Sequence, residues 1–308
     1  EPEQEPEPAA ETTGSPTAAA GDSSAGGAHL PAGPPGGAAI ATGRALREVA
    51  FNENVAFFVP NTQLLAVGAK GNRLVLHSLE DATETAVIER PNVLFVGAAS
   101  SDGSRLCVGE NTGWAGVYDV AQLLDTPLEA EPSGQCKVGS TAVVAAAFGR
   151  DGSRLFTMCR GAPVEMRDAL SSDLALLATL PFETNEGNPG SRLACSVALV
   201  AAAGGGHAGR SNDARSRRVG VWRLNPSAHA TDPVESTTLH FRSDALAVAL
   251  RPGCEELAVG TANGAVHIFA SPFDDEEGWL LDGRNPEQDP GLIQKDGTRN
   301  LGLSYSYD

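Results

Sequence analysis

An all-β chain of repeated four-stranded blades, a β-propeller, is the fold class this sequence predicts, and three observations predict it. The pentapeptide Asp-Gly-Ser-Arg-Leu occurs twice, at 102–106 and 151–155, with its glycines 49 positions apart. Short apolar runs, each closed by Gly, Pro, Asn or Asp, recur through the middle of the chain in the pattern of strands and tight turns. Gly152 and Gly253 lie 101 positions apart, almost two further steps, and repeated strand units of this size are the period of propeller blades. Five blades are recognisable, forming a small ring or part of a seven-bladed one.

The elements follow in chain order. Residues 1–43 are rich in Pro, Gly, Ala and Ser and hold six acidic side chains but no Lys or Arg. Such a segment buries too little apolar surface to offset ordering costs of about 1–2 kcal/mol per residue, so a disordered acidic arm is expected. Residues 44–272 carry the blades. "LLAVGAKGNRLVLHSL" from Leu64, "LCVGENTGWAGVYDV" from Leu106, "LFTMCRGAPVEMRDA" from Leu155 and "LAVGTANGAVHIFAS" from Leu257 each read as strand, tight turn, strand. The runs "NVLFVGAAS", "TAVVAAAFG" and "DALAVALRPG" supply a strand before the turns at Gly103, Gly152 and Gly253. A more degenerate unit ends in "RRVGVWRL" (217–224). Glycine gives these turns their positive φ, aspartate bonds the turn, and the following Leu106 or Leu155 opens a buried strand. His77 and His267 are expected at equivalent places in their blades. Residues 273–308 form an acidic tail or a degenerate last blade, in which Trp279 starts a strand or docks the tail.

Charge narrows the function classes. Of 39 acidic and 22 basic residues, the segments 1–43 and 273–308 take fifteen acids and three bases, leaving 24 acids and 19 bases for the blades. That core lacks the dense basic face that nucleic-acid binding needs. The longest apolar stretch, "LACSVALVAAAGGG" from Leu193, breaks into glycines short of the ~20 residues of a membrane helix. No basic-then-apolar leader precedes it, and the chain opens on Glu1, as a fragment or processed product would. Cys107, Cys136, Cys159, Cys195 and Cys254 stand singly, without metal-ligand spacing, as buried thiols of a reducing compartment do. No glycosylation acceptor occurs, and a cytoplasmic location is expected. The six histidines are scattered, the run from Asp274 to Glu277 lacks the spaced ligands of a calcium loop, and no nucleophile elbow or dinucleotide fingerprint is present. No enzyme, cofactor or metal is read from these residues.

The segments "AASSDGSRLCVGENTGWAGVYDV", "AAFGRDGSRLFTMCRGAPVEMRD", "VGVWRL" and "ALRPGCEELAVGTANGAVHIFA" resemble blades of the WD-repeat family. The closing dipeptides depart from its Trp-Asp: Tyr118-Asp119, Arg167-Asp168, Trp222-Arg223 and Ile268-Phe269 stand there, and the Gly-His that opens many blades is absent. The resemblance implies a rigid, non-catalytic scaffold whose rim loops bind protein partners. A second resemblance covers "LALLATLPFETNEGNPGSRLACSVALV", "VGVWRL" and "LHFRSDALAVALRPGCEELAVGTANGAVHIF". Their order is similar to that in the endoplasmic-reticulum exchange factors for the Sar-type GTPase, the prolactin regulatory element-binding protein family. It implies guanine-nucleotide exchange on a small GTPase at the cytosolic face of the endoplasmic reticulum. That family has Cys-Arg-Phe where Cys195-Ser196-Val197 stands here, and "GGAAIATG" (36–43) is the counterpart of its potassium-binding loop, so no exchange residue transfers.

The candidate partner-binding residues are Arg210, Arg215, Arg217 and Arg218, the densest basic cluster in an acidic chain. They lie in a long polar connection that reads as a solvated hairpin loop or as a contact for an acidic partner or for the chain's own Glu-rich arm, a contact that phosphorylation of Ser211 or Ser216 would weaken by cancelling charge. Limited trypsin digestion is expected to cut first between 210 and 218, with the blades on both sides remaining associated on a sizing column.

Overall fold

A computed structural model describes residues 55–69, 72–81, 83–126, 131–182, 192–204, 214–225, 233–251, 253, 255–273 and 279–280. All belong to one compact unit, Leu46–Asp308. The expected arm 1–43 and nearly all of the expected tail lie outside these residues.

The described strands make five antiparallel four-stranded meanders. The first holds β1 (Ala56–Val59), β2 (Leu64–Ala69), β3 (Arg73–Ser78) and β4 (Glu84–Glu89). The second holds β5 (Leu94–Ala99), β6 (Arg105–Glu110), β7 (Trp114–Asp119) and β8 (Gly134–Lys137). The third holds β9 (Val143–Phe148), β10 (Arg154–Cys159), β11 (Val164–Asp168) and β12 (Leu176–Leu180). The fourth holds β13 (Arg192–Cys195), β14 (Leu199–Ala203), β15 (Arg218–Arg223) and β16 (Glu235–His240). The fifth holds β17 (Ala245–Leu250), β18 (Leu257–Thr261), β19 (Val266–Phe269) and β20 (Trp279–Leu280). Trp279 therefore sits in the fourth strand of the fifth blade, paired with Ile268.

Strand alternation gives the blades apolar faces, and facing pairs are buried at the four junctions between consecutive blades. Leu74, Leu76 and Ile88 of the first blade meet Leu106, Val108 and Tyr118 of the second. On the second blade's other face, Cys107 and Val117 meet Leu155 and Leu174 of the third. Phe156 and Met166 of the third pack on Val200 and Trp222 of the fourth, and Ala201 and Val221 of the fourth on Leu257, Val259 and Phe269 of the fifth.

Register across the second and third strands aligns the five blades. Leu65 pairs with His77, Leu106 with Tyr118, Leu155 with Arg167, Val200 with Trp222 and Leu257 with Phe269. The closing position of the fifth blade is thus Phe269, one residue beyond the expected Ile268. His267 pairs with Val259 and falls one pleat earlier than His77, so the two histidines are not equivalent. A one-residue slip would exchange the two faces of a strand, which is why the buried pattern and not the sequence spacing decides the match.

The connection 120–133 departs from a plain loop. It begins with the six-residue helix α1 (Val120–Asp125), whose N-cap Asp119 accepts from the Gln122 amide at 3.2 Å. Leu123 of α1 is buried beside the first two blades.

The repeated pentapeptide does two jobs. Asp102 Oδ1 accepts from the Ser104 amide at 3.0 Å and from Ser100 Oγ at 2.5 Å, which with the Ser104 bonds holds its carboxyl below the ordinary range. Asp151 likewise accepts from the Ser153 amide at 3.1 Å. Gly103 and Gly152 take φ of 72° and 68°, in the left-handed region. The arginine reaches forward to the next blade: Arg105 Nη1 donates to the Gly152 carbonyl at 2.8 Å, and Arg154 Nη1 to the Asn225 carbonyl at 3.4 Å. Ser101 Oγ adds a bond to the Arg150 carbonyl, and Asn61 Nδ2 one to the Ser101 carbonyl at 3.1 Å. The turns of blades one to four are thereby tied in series along one rim.

Two substitutions test this arrangement. Leu155 is fully buried, so Leu155→Ala should cost about 2–5 kcal/mol in chemical denaturation. A Cβ on Gly103 would lie 1.9 Å from the Pro60 carbonyl oxygen, whereas one on Gly253, at φ 81°, meets nothing within 4 Å. Gly253→Ala should lose only the left-handed strain of about 1–2 kcal/mol, and Gly103→Ala distinctly more in the same assay.

Candidate functional site at the axial mouth

The first strand of each meander is the innermost. Residues of β5, β9, β13 and β17, with Pro60 just after β1, line one shared cavity of about 420 Å³. Its wall is built of small side chains, among them Ala98, Ala99, Ala146, Ala147, Ala194 and Ala249. Consecutive alanines alternate towards the two neighbouring blades, Ala99 packing at the first junction, Ala98 and Ala146 at the second and Ala194 at the fourth, and their short side chains leave space along the inner strands. Among the described residues, Arg150 is the one charged residue lining this cavity.

A second cavity of about 350 Å³ adjoins it between the third and fourth blades, sharing Arg150, Ser196 and Val197. Asp151, Arg154, Leu224 and Asn225 complete its charged and apolar wall. Arg150 follows Gly149 in the turn that carries the second pentapeptide, and it is exposed. Its carbonyl is held by Ser101, while its guanidinium makes no hydrogen bond or ion pair among the described residues. Asp151 beside it is committed to its own turn, accepting from Ser153 Oγ at 2.7 Å as well as from the amide. Ser196 is buried and its Oγ accepts from the Leu199 amide at 3.1 Å, which sets the tip of the β13–β14 turn and leaves Val197 46% exposed at the mouth.

The expected arginine cluster is elsewhere. It belongs to the β14–β15 connection, at the opposite end of the fourth blade from the β13–β14 turn. Arg210 lies outside the described residues, and the backbone of Arg215 forms part of a 3-10 turn, Ala214–Arg217. Arg217 Nε stands 3.9 Å from Asp244, and Arg218 opens β15 with its carbonyl bonded to the Gly204 amide at 2.9 Å. Ser216, expected as a phosphorylation point, is fully buried and donates to Asp244 at 2.7 Å, so its hydroxyl is enclosed and already bonded. Ser211 lies outside the described residues.

Other reactive groups are committed to structure. Glu110, buried between the first two blades, accepts from Arg90 Nε, from Asn92 Nδ2 at 2.8 Å and from Thr112 Oγ1 at 3.1 Å, and Arg90 also donates to the Tyr118 hydroxyl. Burial, only partly offset by Arg90, pushes the Tyr118 hydroxyl up. Arg167, at the position of Tyr118 and Trp222, is enclosed with Glu165 and donates to the Leu174 carbonyl at 2.9 Å. Burial lowers the His267 pKa, and its ring packs on Phe241 at 5.1 Å between centroids. Among the described residues no group of three or more His, Cys, Asp or Glu side chains is gathered around a metal position. No helix of the described residues is long and apolar enough to cross a membrane.

No family model matches the chain, and no curated protein matches it. Among solved structures it is similar to one described as the structure of U3-55K, with TM-score 0.56 and 18% identity over 73% of this chain and 63% of that one. The RRP9 WD40 repeats align with TM-score 0.56 and 17% identity, over 73% of this chain and 62% of that one. A chain of the mitotic checkpoint complex aligns with TM-score 0.55 and 17% identity, over 79% and 67% respectively. At such identities the likeness establishes the fold: a WD-repeat-type propeller architecture. The chain spans less than two thirds of the first two structures it matches.

The thiols yield a measurable pH dependence. Burial pushes Cys107 and Cys159 from the ordinary 9.0 up to about 12, with Cys136 adding to the effect at Cys107 and Glu165 at Cys159. The fold binds their protons more tightly than the unfolded chain does, so this stability is complete below pH 9 and is lost as pH rises towards 12. The urea midpoint should fall across that alkaline window, and Cys107→Ala, whatever its starting midpoint, should show a shallower fall.

Proposed function

We propose that this chain is a non-catalytic protein-interaction scaffold whose contact surface is the axial mouth on the rim of the pentapeptide turns. The observation that carries the reading is the convergence of innermost strands from different blades on one open cavity, with an unengaged guanidinium at its edge. Rigid strands hold the loops, and the loops present chemistry suited to recognition. The Cys107 and Cys159 thiols and the Tyr118 hydroxyl are turned inward and used for packing, an arrangement that favours binding over group transfer. The WD-repeat architecture, which serves many unrelated activities, is compatible with this reading and does not itself specify it.

The exchange-factor alternative rests on the order of sequence segments. Its glycine-rich loop, 36–43, falls outside the described residues, and Cys195-Ser196-Val197 forms part of the axial mouth.

Cross-linking in native cells followed by mass spectrometry and reconstitution tests the proposal. A stoichiometric partner cross-linked near 149–151 and 196–198 is expected. A purified chain that forms no complex, or that turns over a metabolite, would contradict it; acceleration of nucleotide release from a Sar-type GTPase would move the function to the alternative.

A further inference from the structure

Building on the scaffold reading, we propose that the axial mouth recognises an extended peptide through one acidic side chain, read by Arg150, flanked by small apolar residues seated against the alanine wall. Charge chooses the acid. Among the described residues, Arg150 is the one charged residue lining the larger cavity, and the adjoining cavity adds Arg154 against a single carboxylate, Asp151, already held by Ser153. A carboxylate entering there meets the Arg150 guanidinium, which has no hydrogen bond or ion pair among the described residues. Bidentate pairing at the edge of an apolar concavity is stronger and more selective than the same pair in open water.

Shape chooses the extended peptide. The two cavities, about 420 and 350 Å³, each fall in the range of ligand sites, and they join at Arg150, Ser196 and Val197. An inorganic or small organic anion could satisfy the guanidinium but would leave either the alanine wall or the exposed Val197 uncovered. An extended segment advances about 3.3 Å per residue with side chains alternating, so one acidic residue can face Arg150 while its neighbours cover apolar surface on both sides. The wall also sets the chemistry: alanine methyls offer a smooth apolar surface against which Gly, Ala, Ser or Val can seat beside the acid.

Selection from a phage-displayed random nonapeptide library, followed by fluorescence titration of the recovered peptides, provides the test. Wild-type protein should enrich sequences with Asp or Glu beside small apolar residues, with affinity that weakens as salt rises. Arg150→Ala should keep the wild-type melting temperature, since the side chain is exposed and unengaged, and should weaken binding by about tenfold or more. Arg150→Lys should recover part of the loss, and Arg150→Glu should shift the preference to Lys or Arg. Failure to enrich any peptide, enrichment without an acidic residue, or equal binding by Arg150→Ala would overturn the inference; so would an isolated carboxylate such as acetate competing as well as the peptide does. Cellular partners captured equally by wild type and Arg150→Ala would overturn it while leaving the scaffold reading intact, whereas the absence of any partner would remove the scaffold reading itself.

Discussion

The hydrogen bond from Arg105 to the carbonyl of Gly152 is the contact on which the arrangement of the central blades turns. It requires a glycine turn that brings the carbonyl within reach, an arginine at the start of the following strand, and a leucine next to that arginine facing the preceding blade. A charged donor on a backbone carbonyl in a partly buried setting contributes about 1.5–3 kcal/mol, more than an exposed pair would. Its larger effect is geometric. The second and third blades can present their faces to one another in one register, because the strap fixes the end of β6 against the turn preceding β10.

That register decides what becomes buried. Leu106 and Tyr118 face the first blade, Cys107 and Val117 the third, and the alternation continues through Leu155, Val200 and Leu257. The closing position is filled in a blade-specific way, the fourth blade alone of the second, third and fourth keeping a tryptophan. Trp222 packs edge-on against Phe182, Tyr118 is joined to Arg90 and Glu110, and Arg167 is neutralised by Glu165. Polar groups at these positions are tolerated because each has its partner, the condition for burying them without a large penalty. The inner strands bury alanines at these same junctions, and the short side chains leave the axial cavity between them, so the site is a consequence of blade packing and not an addition to it.

Much of the fold was legible because its signals are local. Gly103 and Gly152, the paired aspartates and the apolar hairpins lie within a few residues of one another, and their period identifies the blades. Outer strands such as β12 and β16 were less legible, since they are largely exposed and their alternation is weak. The face assignment of the fifth blade was misread by one residue at Ile268 because the sequence offers no buried partner from which to count. The axial site was not read at all. Ala98, Ala147, Ala194 and Ala249 are far apart and chemically ordinary, and Arg150 is a lone charge, whereas the dense cluster ending at Arg218 drew the eye to the opposite end of the fourth blade. A comparison of the inner strands alone, "VVAAAF" against "ALAVAL" and "FVGAA", held the available signal: small residues at matching pleats.

Hydrogen exchange followed by mass spectrometry on Arg105→Met measures the strap most directly, because the substitution keeps the length and apolar stem of the side chain and removes its donors. The account predicts faster exchange at two places far apart in sequence, the turn 100–105 and the turn 149–154 of the next blade, with the outer strands of both blades unchanged. Faster exchange confined to 100–105, with the turn 149–154 as protected as in the wild type, would contradict it.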